Sequence, residues 1–169
     1  MYTEYQPSHL LVPYIDSYWE FKGNPDYGMR IHILPDGCTD FIFTLGEVAN
    51  AVEEGSLIMQ PYRSYFVGPM TKYSELVTYA ESVHMFGVRF LPCGLSCFTN
   101  LPLHEFVNSR VSTNEMKAVF DDTFIEKLGE QKHVADRIRV VEEYLLAYLA
   151  RHYQPADSHI AMAIPSFLR

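Results

Sequence analysis

The sequence predicts an α+β fold in which strands fill the N-terminal half and helices follow. Three observations carry this prediction. Before residue 92, short runs of β-branched and aromatic residues alternate with turn residues. After residue 92, apolar residues recur at helical spacing. The composition suits a packed interior, because 48% of the 169 residues are hydrophobic and 14% are aromatic. This segregation favours a sandwich or barrel packed against helices.

Seven runs in the first half are predicted as strands because they are rich in β-formers and bounded by turn residues. They cover 16–22, 29–34, 39–45, 48–59, 64–68, 75–81 and 82–91. The clearest turn is Pro35-Asp36-Gly37, between the second and third runs. Proline presets φ for the first turn position and glycine accepts the left-handed conformation. The turn therefore predicts a β-hairpin at this point.

Helical signals follow the strands. Ser112 and Glu115 have the spacing of a capping box, which predicts a helix over 116–122. Gly129 interrupts the pattern, and the longest helix is predicted from about residue 132 to about residue 153, where Pro155 stops it.

This long helix has an apolar seam at 4-3-4-3 spacing, which covers about two heptads. The seam predicts either packing on the β-rich half or an interface between two copies of the chain. The residues expected at a homodimer interface are Ile138, Val141, Leu145 and Tyr148.

The charge pattern excludes a chain that binds nucleic acid by itself. The net charge is -8, and residues 1–60 hold two bases against nine acids. Phosphate contacts need clustered Lys and Arg. No apolar run approaches the roughly 20 residues of a membrane span, and residues 1–15 do not resemble a signal peptide. A cytoplasmic protein without a membrane partner is expected, and Cys38, Cys93 and Cys97 form no disulfide framework.

No motif predicts catalysis, a metal or a cofactor. A cupin-type metal site needs an H-x-H pair with further ligands, but the seven histidines form no such pair and Asp40 stands where a histidine would be needed. Nucleophile elbows and phosphate-binding loops are also missing. The chain is therefore not expected to be an enzyme. The alternative is a metal-dependent cupin-like isomerase or dioxygenase, with its metal near His32 or His84.

Aromatic residues alternate along three of the predicted strands, so that each strand gathers them on one face. If these faces converge, they enclose a pocket for a small apolar or aromatic effector; otherwise they form a filled core. The residues expected to bind the effector are Trp19, Phe21, Phe43, His84, Phe86 and Phe90. If the faces form a filled core, a third interpretation is that the chain is an interaction module in which only the helical seam has a function.

The motifs HLLVPYIDSYWEF, IHILPDGCTDFIFTLG, YFVGPMT and FGVRFLPCGLSCF occur in this order along the chain. In this order they resemble the N-terminal sensor domain of certain AraC-type bacterial transcription regulators. The resemblance covers roughly residues 10–153.

The resemblance implies a cupin-like jelly-roll barrel followed by helices that mediate dimerisation. It divides the chain into an effector-binding barrel over 1–110, a helical dimerisation region over 111–155 and, over 156–169, the start of a truncated helix-turn-helix domain. The chain would then contact DNA only through that missing domain.

Overall fold

The computed structural model describes residues 1–46, 51–53, 58–116, 119–120 and 122–152. The segment 156–169, expected to begin a helix-turn-helix domain, lies outside these residues. The described residues form nine strands and two α-helices: β1 (Tyr2–Tyr5), β2 (Ile15–Gly23), β3 (Met29–Ile33), β4 (Thr39–Thr44), β5 (Ala51–Glu53), β6 (Ser64–Val67), β7 (Ser74–Thr78), β8 (Val83–Phe90), β9 (Arg110–Ser112), α1 (Asp122–Gly129) and α2 (Val134–His152).

The described strands pair antiparallel in two sheets. The large sheet has the order β1-β2-β8-β4-β6-β9, and the small sheet has the order β3-β7-β5. The described part of the chain is thus mostly antiparallel β-structure followed by two helices, and it shows no closed barrel. None of the described helices combines the length and hydropathy that a bilayer span requires.

The predicted hairpin at Pro35-Asp36-Gly37 is wrong. The turn itself forms, since Gly37 has φ 69° and the Cys38 N–H donates to Asp36 Oδ1 at 2.9 Å. However, β3 pairs with β7 in the small sheet, whereas β4 pairs with β6 and β8 in the large one. The turn therefore carries the chain from one sheet to the other. Turn chemistry sets the local backbone direction, but it does not select the partner strand.

The large sheet is covered on both faces. One face packs against the helices, through a core that contains Phe41, Phe43 and Phe86 of the sheet and Phe124 of α1. The other face packs against the small sheet, through a second core that contains Trp19, Ile42, Val67, Met85 and Leu76. We call these the helix-side core and the inter-sheet core.

The apolar seam of α2 is used inside the chain. Val141 and Leu145 are 0% exposed in the helix-side core, and the half-buried Ile138 and Tyr148 pack against the same core. Of the two alternatives, packing on the β-rich half is the one that the structure shows. The assignment of Val141 and Leu145 to a dimer interface is corrected, because their side chains have no exposed surface; a dimer itself stays a prediction.

The predicted capping box does not begin a helix. Ser112 ends β9 and is paired with Tyr65 of β6, which holds it in an extended conformation. A short 3-10 turn follows, over Thr113–Glu115, and the Ser112 side chain makes no capping hydrogen bond there. Met116, the first residue of the predicted helix, is extended, and residues 117, 118 and 121 of that helix lie outside the described residues. Helix α1 begins at Asp122 instead. Sheet pairing therefore prevails over the local capping signal.

Candidate functional site

A cavity of about 420 Å³ lies between the two sheets. This volume is near the lower end for pockets that bind small molecules. Most of the lining side chains are apolar: Trp19, Phe21, Ile31, Ile33, Leu34, Ile42, Val67, Met70, Leu76 and Met85. The remaining lining residues carry a polar or ionisable group: Tyr2, His32, Asp36, Asp40, Arg89 and Arg110.

Trp19 is held in place by two neighbours. A Cβ atom at Gly87, its partner on β8, would lie only 1.9 Å from Cε2 of Trp19, so the indole ring lies directly against the glycine backbone. On β4, Asp40 Oδ1 accepts a hydrogen bond of 2.7 Å from Trp19 Nε1. The Tyr2 ring lies beside the indole, with 5.9 Å between the ring centroids. The cavity therefore has a fixed aromatic wall.

Asp40 and Arg89 form an ion pair next to this wall. They are directly opposite each other on β4 and β8, and Arg89 Nε lies 3.3 Å from both carboxylate oxygens of Asp40. Two further carboxylates lie near the same guanidinium. Glu4 Oε1 is 3.8 Å from Arg89 Nη1, and Asp36 Oδ2 is 4.0 Å from Arg89 Nε.

The ionisation of these groups reflects both burial and the surplus of acids. Burial raises the pKa of Asp40, while the Arg89 charge and the Trp19 hydrogen bond partly offset that rise. Burial disfavours the charged form of Arg89, but Asp40, Tyr2 and Asp36 together raise the pKa of Arg89 above its ordinary value. Burial, followed by the charges of Asp36, Asp16 and Asp40, raises the pKa of the Cys38 thiol to about 12. Three carboxylates therefore surround the Arg89 guanidinium at this point of the sheet.

A second polar cluster lies on the opposite face of the large sheet. Glu20 Oε1 contacts His84 Nε2 at 2.8 Å and Arg137 Nη1 of α2 at 3.1 Å. Arg137 also donates to the backbone carbonyls of Leu128 and Gln131, at 3.2 and 2.6 Å. The cluster ties the connection between the two helices to β2.

The structure divides the predicted effector-binding residues between two cores. Trp19 and Phe21 line the cavity. The other members of the set lie on the helix side, where Phe43, Phe86 and Phe90 are 0% exposed in the helix-side core and His84 contacts Glu20. The six residues therefore do not form one pocket.

The division follows from strand register. Glu20 lies opposite Phe86, and Trp19 lies opposite Gly87, so the two aromatic residues project from opposite faces of the sheet. Alternation along each strand correctly predicts which residues share a face within that strand. It does not predict which face of a neighbouring strand lies on the same side of the sheet.

The cavity residues that sequence reasoning missed include Asp40 and Arg89. A signal for them was present, because Trp19, Asp40 and Arg89 each belong to one of the four ordered motifs. The same motifs supply two glycines that are closely packed. A Cβ at Gly68 would lie 1.9 Å from the Phe106 carbonyl oxygen, and the ring of Trp19 covers Gly87. The motifs thus converge on and around the cavity.

Neither histidine considered for a metal lies in a ligand cluster. His32 is on β3 of the small sheet and contacts Tyr73, whereas His84 is on β8 and contacts Glu20. Within the part of the chain that the structure describes, no three His, Cys, Asp or Glu residues are grouped so that they could hold a metal ion. The metal-dependent enzyme therefore has no supporting geometry in that part.

One protein-family model matches residues 3–112, which contain the nine strands of the described structure except Tyr2, the first residue of β1. The family is described as a domain of unknown function, DUF6597. The chain belongs to this family. The DUF6597 match includes both sheets and every residue that lines the cavity except Tyr2. No curated protein matches the chain.

Proposed function

We propose that this DUF6597 domain binds a small organic effector in the inter-sheet cavity and acts as the sensor domain of an AraC-type transcription regulator. The cavity is the observation that carries the proposal. Its walls are mainly apolar, and the lining includes an ionisable cluster of Asp36, Asp40 and Arg89. This combination is typical of pockets that bind small molecules in a defined orientation.

The supporting wall of the cavity is preorganised. Gly87 and Asp40 hold Trp19 in one position, so a ligand that stacks on the indole would not have to order it first. Binding sites gain affinity when the groups that contact the ligand are already fixed. This arrangement favours a binding site over a packing defect.

The regulator part of the proposal rests on the resemblance to AraC-type sensor domains. The resemblance implies a β-rich region followed by helices, and the antiparallel sheets and the two helices agree with that order. In this proposal the two sheets belong to a cupin-like jelly roll. In this proposal the helical region mediates a homodimer, and a separate helix-turn-helix domain contacts DNA. An effector acts by favouring one of two arrangements of these parts.

The binding step can be tested directly, because Trp19 is the only tryptophan in the chain and lines the cavity. A library of bacterial metabolites would be screened by thermal shift, and hits would be titrated by tryptophan fluorescence. We expect hits that raise the melting temperature and change the emission of Trp19.

A cavity-filling variant provides the control. Leu76→Phe places a larger side chain into the inter-sheet core and should abolish binding of the hits, whereas the matched Glu143→Gln, on the exposed surface of α2, should not. The proposal would be contradicted if the hits bound Leu76→Phe as tightly as Glu143→Gln. A library without hits would also contradict it.

A further inference from the structure

We infer that the cavity takes an uncharged aromatic molecule, one that carries no ammonium, carboxylate or phosphate group. The inference rests on the proposed function and adds the chemical class of the ligand. It follows from three features of the cavity lining. The formal charges balance, the polar groups have partners within the protein, and the apolar walls include an aromatic ring that is held in place.

The formal charges that line the cavity cancel. The carboxylates of Asp36 and Asp40 line it together with the guanidinium groups of Arg89 and Arg110, and histidine is counted as neutral. An ion that enters a mainly apolar site loses its hydration, and this loss is offset only where the ion meets an opposite charge that is not already balanced. A ligand with a net charge would therefore leave the filled cavity with an unbalanced charge.

The two lining carboxylates are bonded within the protein. Asp40 Oδ1 accepts a hydrogen bond of 2.7 Å from Trp19 Nε1, and both Asp40 oxygens lie 3.3 Å from Arg89 Nε. Asp36 Oδ1 accepts from the Cys38 N–H at 2.9 Å, and Asp36 Oδ2 lies 4.0 Å from Arg89 Nε. Neither carboxylate therefore needs a cationic ligand to compensate its burial.

The other polar lining groups have protein partners as well. Arg110 Nη2 donates to Ser74 Oγ at 2.8 Å, and the Tyr2 hydroxyl donates to Glu4 Oε1 at 2.7 Å. His32 contacts a tyrosine hydroxyl on the loop before β7 through its ring Nδ1. No polar group of the lining thus depends on a ligand charge for its partner.

The remaining surface of the cavity is apolar and comes from both sheets. Ile42, Val67 and Met85 belong to the large sheet, whereas Ile31 and Leu76 belong to the small one. Such walls favour a ligand whose body is apolar, because burying that body removes apolar surface from water.

Aromatic rings and thioether groups in these walls favour an aromatic body over an aliphatic one. Trp19 and Phe21 line the cavity, and Met70 and Met85 add two sulfur atoms. An aromatic ring gains from edge-to-face or offset contacts with other rings, and from contacts with thioether sulfur, beyond the area that it buries. Because the indole of Trp19 is already held in place, it can contact a ligand ring without first becoming ordered.

The test uses four aromatic probes of similar size that differ in charge. Cuminyl alcohol is uncharged, cuminylamine is a cation at neutral pH, cuminate is an anion and phenylalanine is a zwitterion. Each would be titrated into the full chain, with Trp19 fluorescence excited at a wavelength that the probes do not absorb and with thermal shift as a second readout. We expect the alcohol to bind at least about tenfold more tightly than each charged probe, and its affinity to stay constant as salt is added.

The aromatic body is tested with the saturated analogue of cuminyl alcohol, in which a cyclohexane ring replaces the benzene ring. This analogue should bind roughly two- to tenfold more weakly than cuminyl alcohol. Leu76→Phe, which fills the cavity, should abolish binding of both compounds.

A charge-removing variant tests the balance of the lining. Asp36→Asn removes one carboxylate charge at an exposed position and keeps the oxygen that accepts from the Cys38 N–H. Because the guanidinium charge is then in excess, the variant should strengthen binding of cuminate about two- to fivefold and leave that of cuminyl alcohol unchanged. Glu143→Gln removes the same charge on α2 and should leave both affinities unchanged.

The outcomes separate the ligand class from the proposed function. The inference is overturned if a charged probe or the saturated analogue binds as tightly as cuminyl alcohol, or if Asp36→Asn leaves the affinity for cuminate unchanged, while a small-molecule site remains in each case. If no probe binds at millimolar concentration, the inference is also overturned, and the metabolite screen decides the proposed function independently.

Discussion

At the residue scale, the position of Trp19 depends on the missing side chain at Gly87. The indole ring lies on the backbone of β8, where a Cβ atom would come within 1.9 Å of it, and its N–H bonds to Asp40. A methyl group cannot be accommodated unless the ring or the strand moves. Because the indole of Trp19 lines the cavity, a shift of this ring changes the shape of one cavity wall.

We therefore expect Gly87→Ala to destabilise the protein by about 1–3 kcal/mol and to shift the emission of Trp19 as the indole moves. The measurements are urea unfolding and fluorescence of the native state. Gly129→Ala is the matched control, because a Cβ there meets nothing within 4 Å and the residue has no left-handed φ. Equal unfolding curves for the two variants would contradict the interpretation of the Gly87 contact.

His84 gives a second prediction at this scale. Its neighbours are Glu20, Lys22 and Arg137, and burial lowers the pKa of His84 from 6.5, although the hydrogen bond to Glu20 acts in the opposite direction. The unfolded imidazole accepts a proton near pH 6.5, whereas the folded one resists it. The stability that depends on neutral His84 is thus complete above that pH and is lost as the pH falls through the lower, folded-state pKa.

We expect the wild-type chain to lose more stability between about pH 7 and about pH 5 than His84→Gln loses. Denaturant unfolding at a series of pH values measures the difference, and the exposed His9→Gln serves as the control. If His84→Gln and the wild type show the same pH dependence, the burial of His84 does not contribute to the acid sensitivity.

At the element scale, α2 belongs to the helix-side core. Val141 and Leu145 are fully buried there, and Arg137 binds Glu20 of β2. The helix is thus connected to the large sheet by both apolar packing and an ion pair of 3.1 Å with Arg137 largely buried. Its seam has the spacing of a coiled coil, but within one chain the same spacing serves packing on a sheet.

Leu145→Ala should accordingly lower the free energy of unfolding by about 2–5 kcal/mol. Unfolding at several protein concentrations measures this, and Glu143→Ala, on the exposed side of the helix, should change it by less than about 0.5 kcal/mol. If Leu145→Ala left stability unchanged and only converted dimers to monomers, the residue would be an intermolecular contact instead.

The elements themselves were largely predictable, but their pairing was not. The predicted runs 16–22, 29–34 and 39–45 match β2, β3 and β4, because strand periodicity and turn residues are local signals. That β3 and β4 lie in different sheets depends on contacts with β7 and β8, which are distant in the sequence. Two strands were missed, and each of β1 and β9 is only three or four residues long.

The site was predictable only in part for the same reason. Alternation placed Trp19 with Phe21, and Phe86 with Phe90, on common faces of their strands, which is correct. To predict whether those faces lie on the same side of the sheet, one needs the register between β2 and β8. Asp40 and Arg89 were missed because a carboxylate and a guanidinium in separate strands form a site only once the sheet brings them together.

At the scale of the whole molecule, the net charge of -8 determines how the chain interacts with polyanions. The acids are concentrated in residues 1–60, and two of them, Asp36 and Asp40, line the cavity. A surface of this sign repels phosphate.

We expect a protein consisting of residues 1–169 to show no measurable affinity for duplex DNA, even at about 50 mM salt, where electrostatic binding is strongest. Fluorescence anisotropy with a labelled duplex measures this, and a basic DNA-binding protein is the positive control. Micromolar binding that weakens as salt is added would contradict the expectation.

The two covered faces of the large sheet have a consequence for how ligand preference can change. On β4 and β8, neighbouring positions such as Ile42 and Phe43, or Met85 and Phe86, belong to different cores. A substitution at Ile42 or Met85 reshapes the cavity, while the adjacent phenylalanine continues to support the helices. Evolution or protein engineering can therefore diversify recognition on one surface and conserve the scaffold on the other, one residue apart along the same strand.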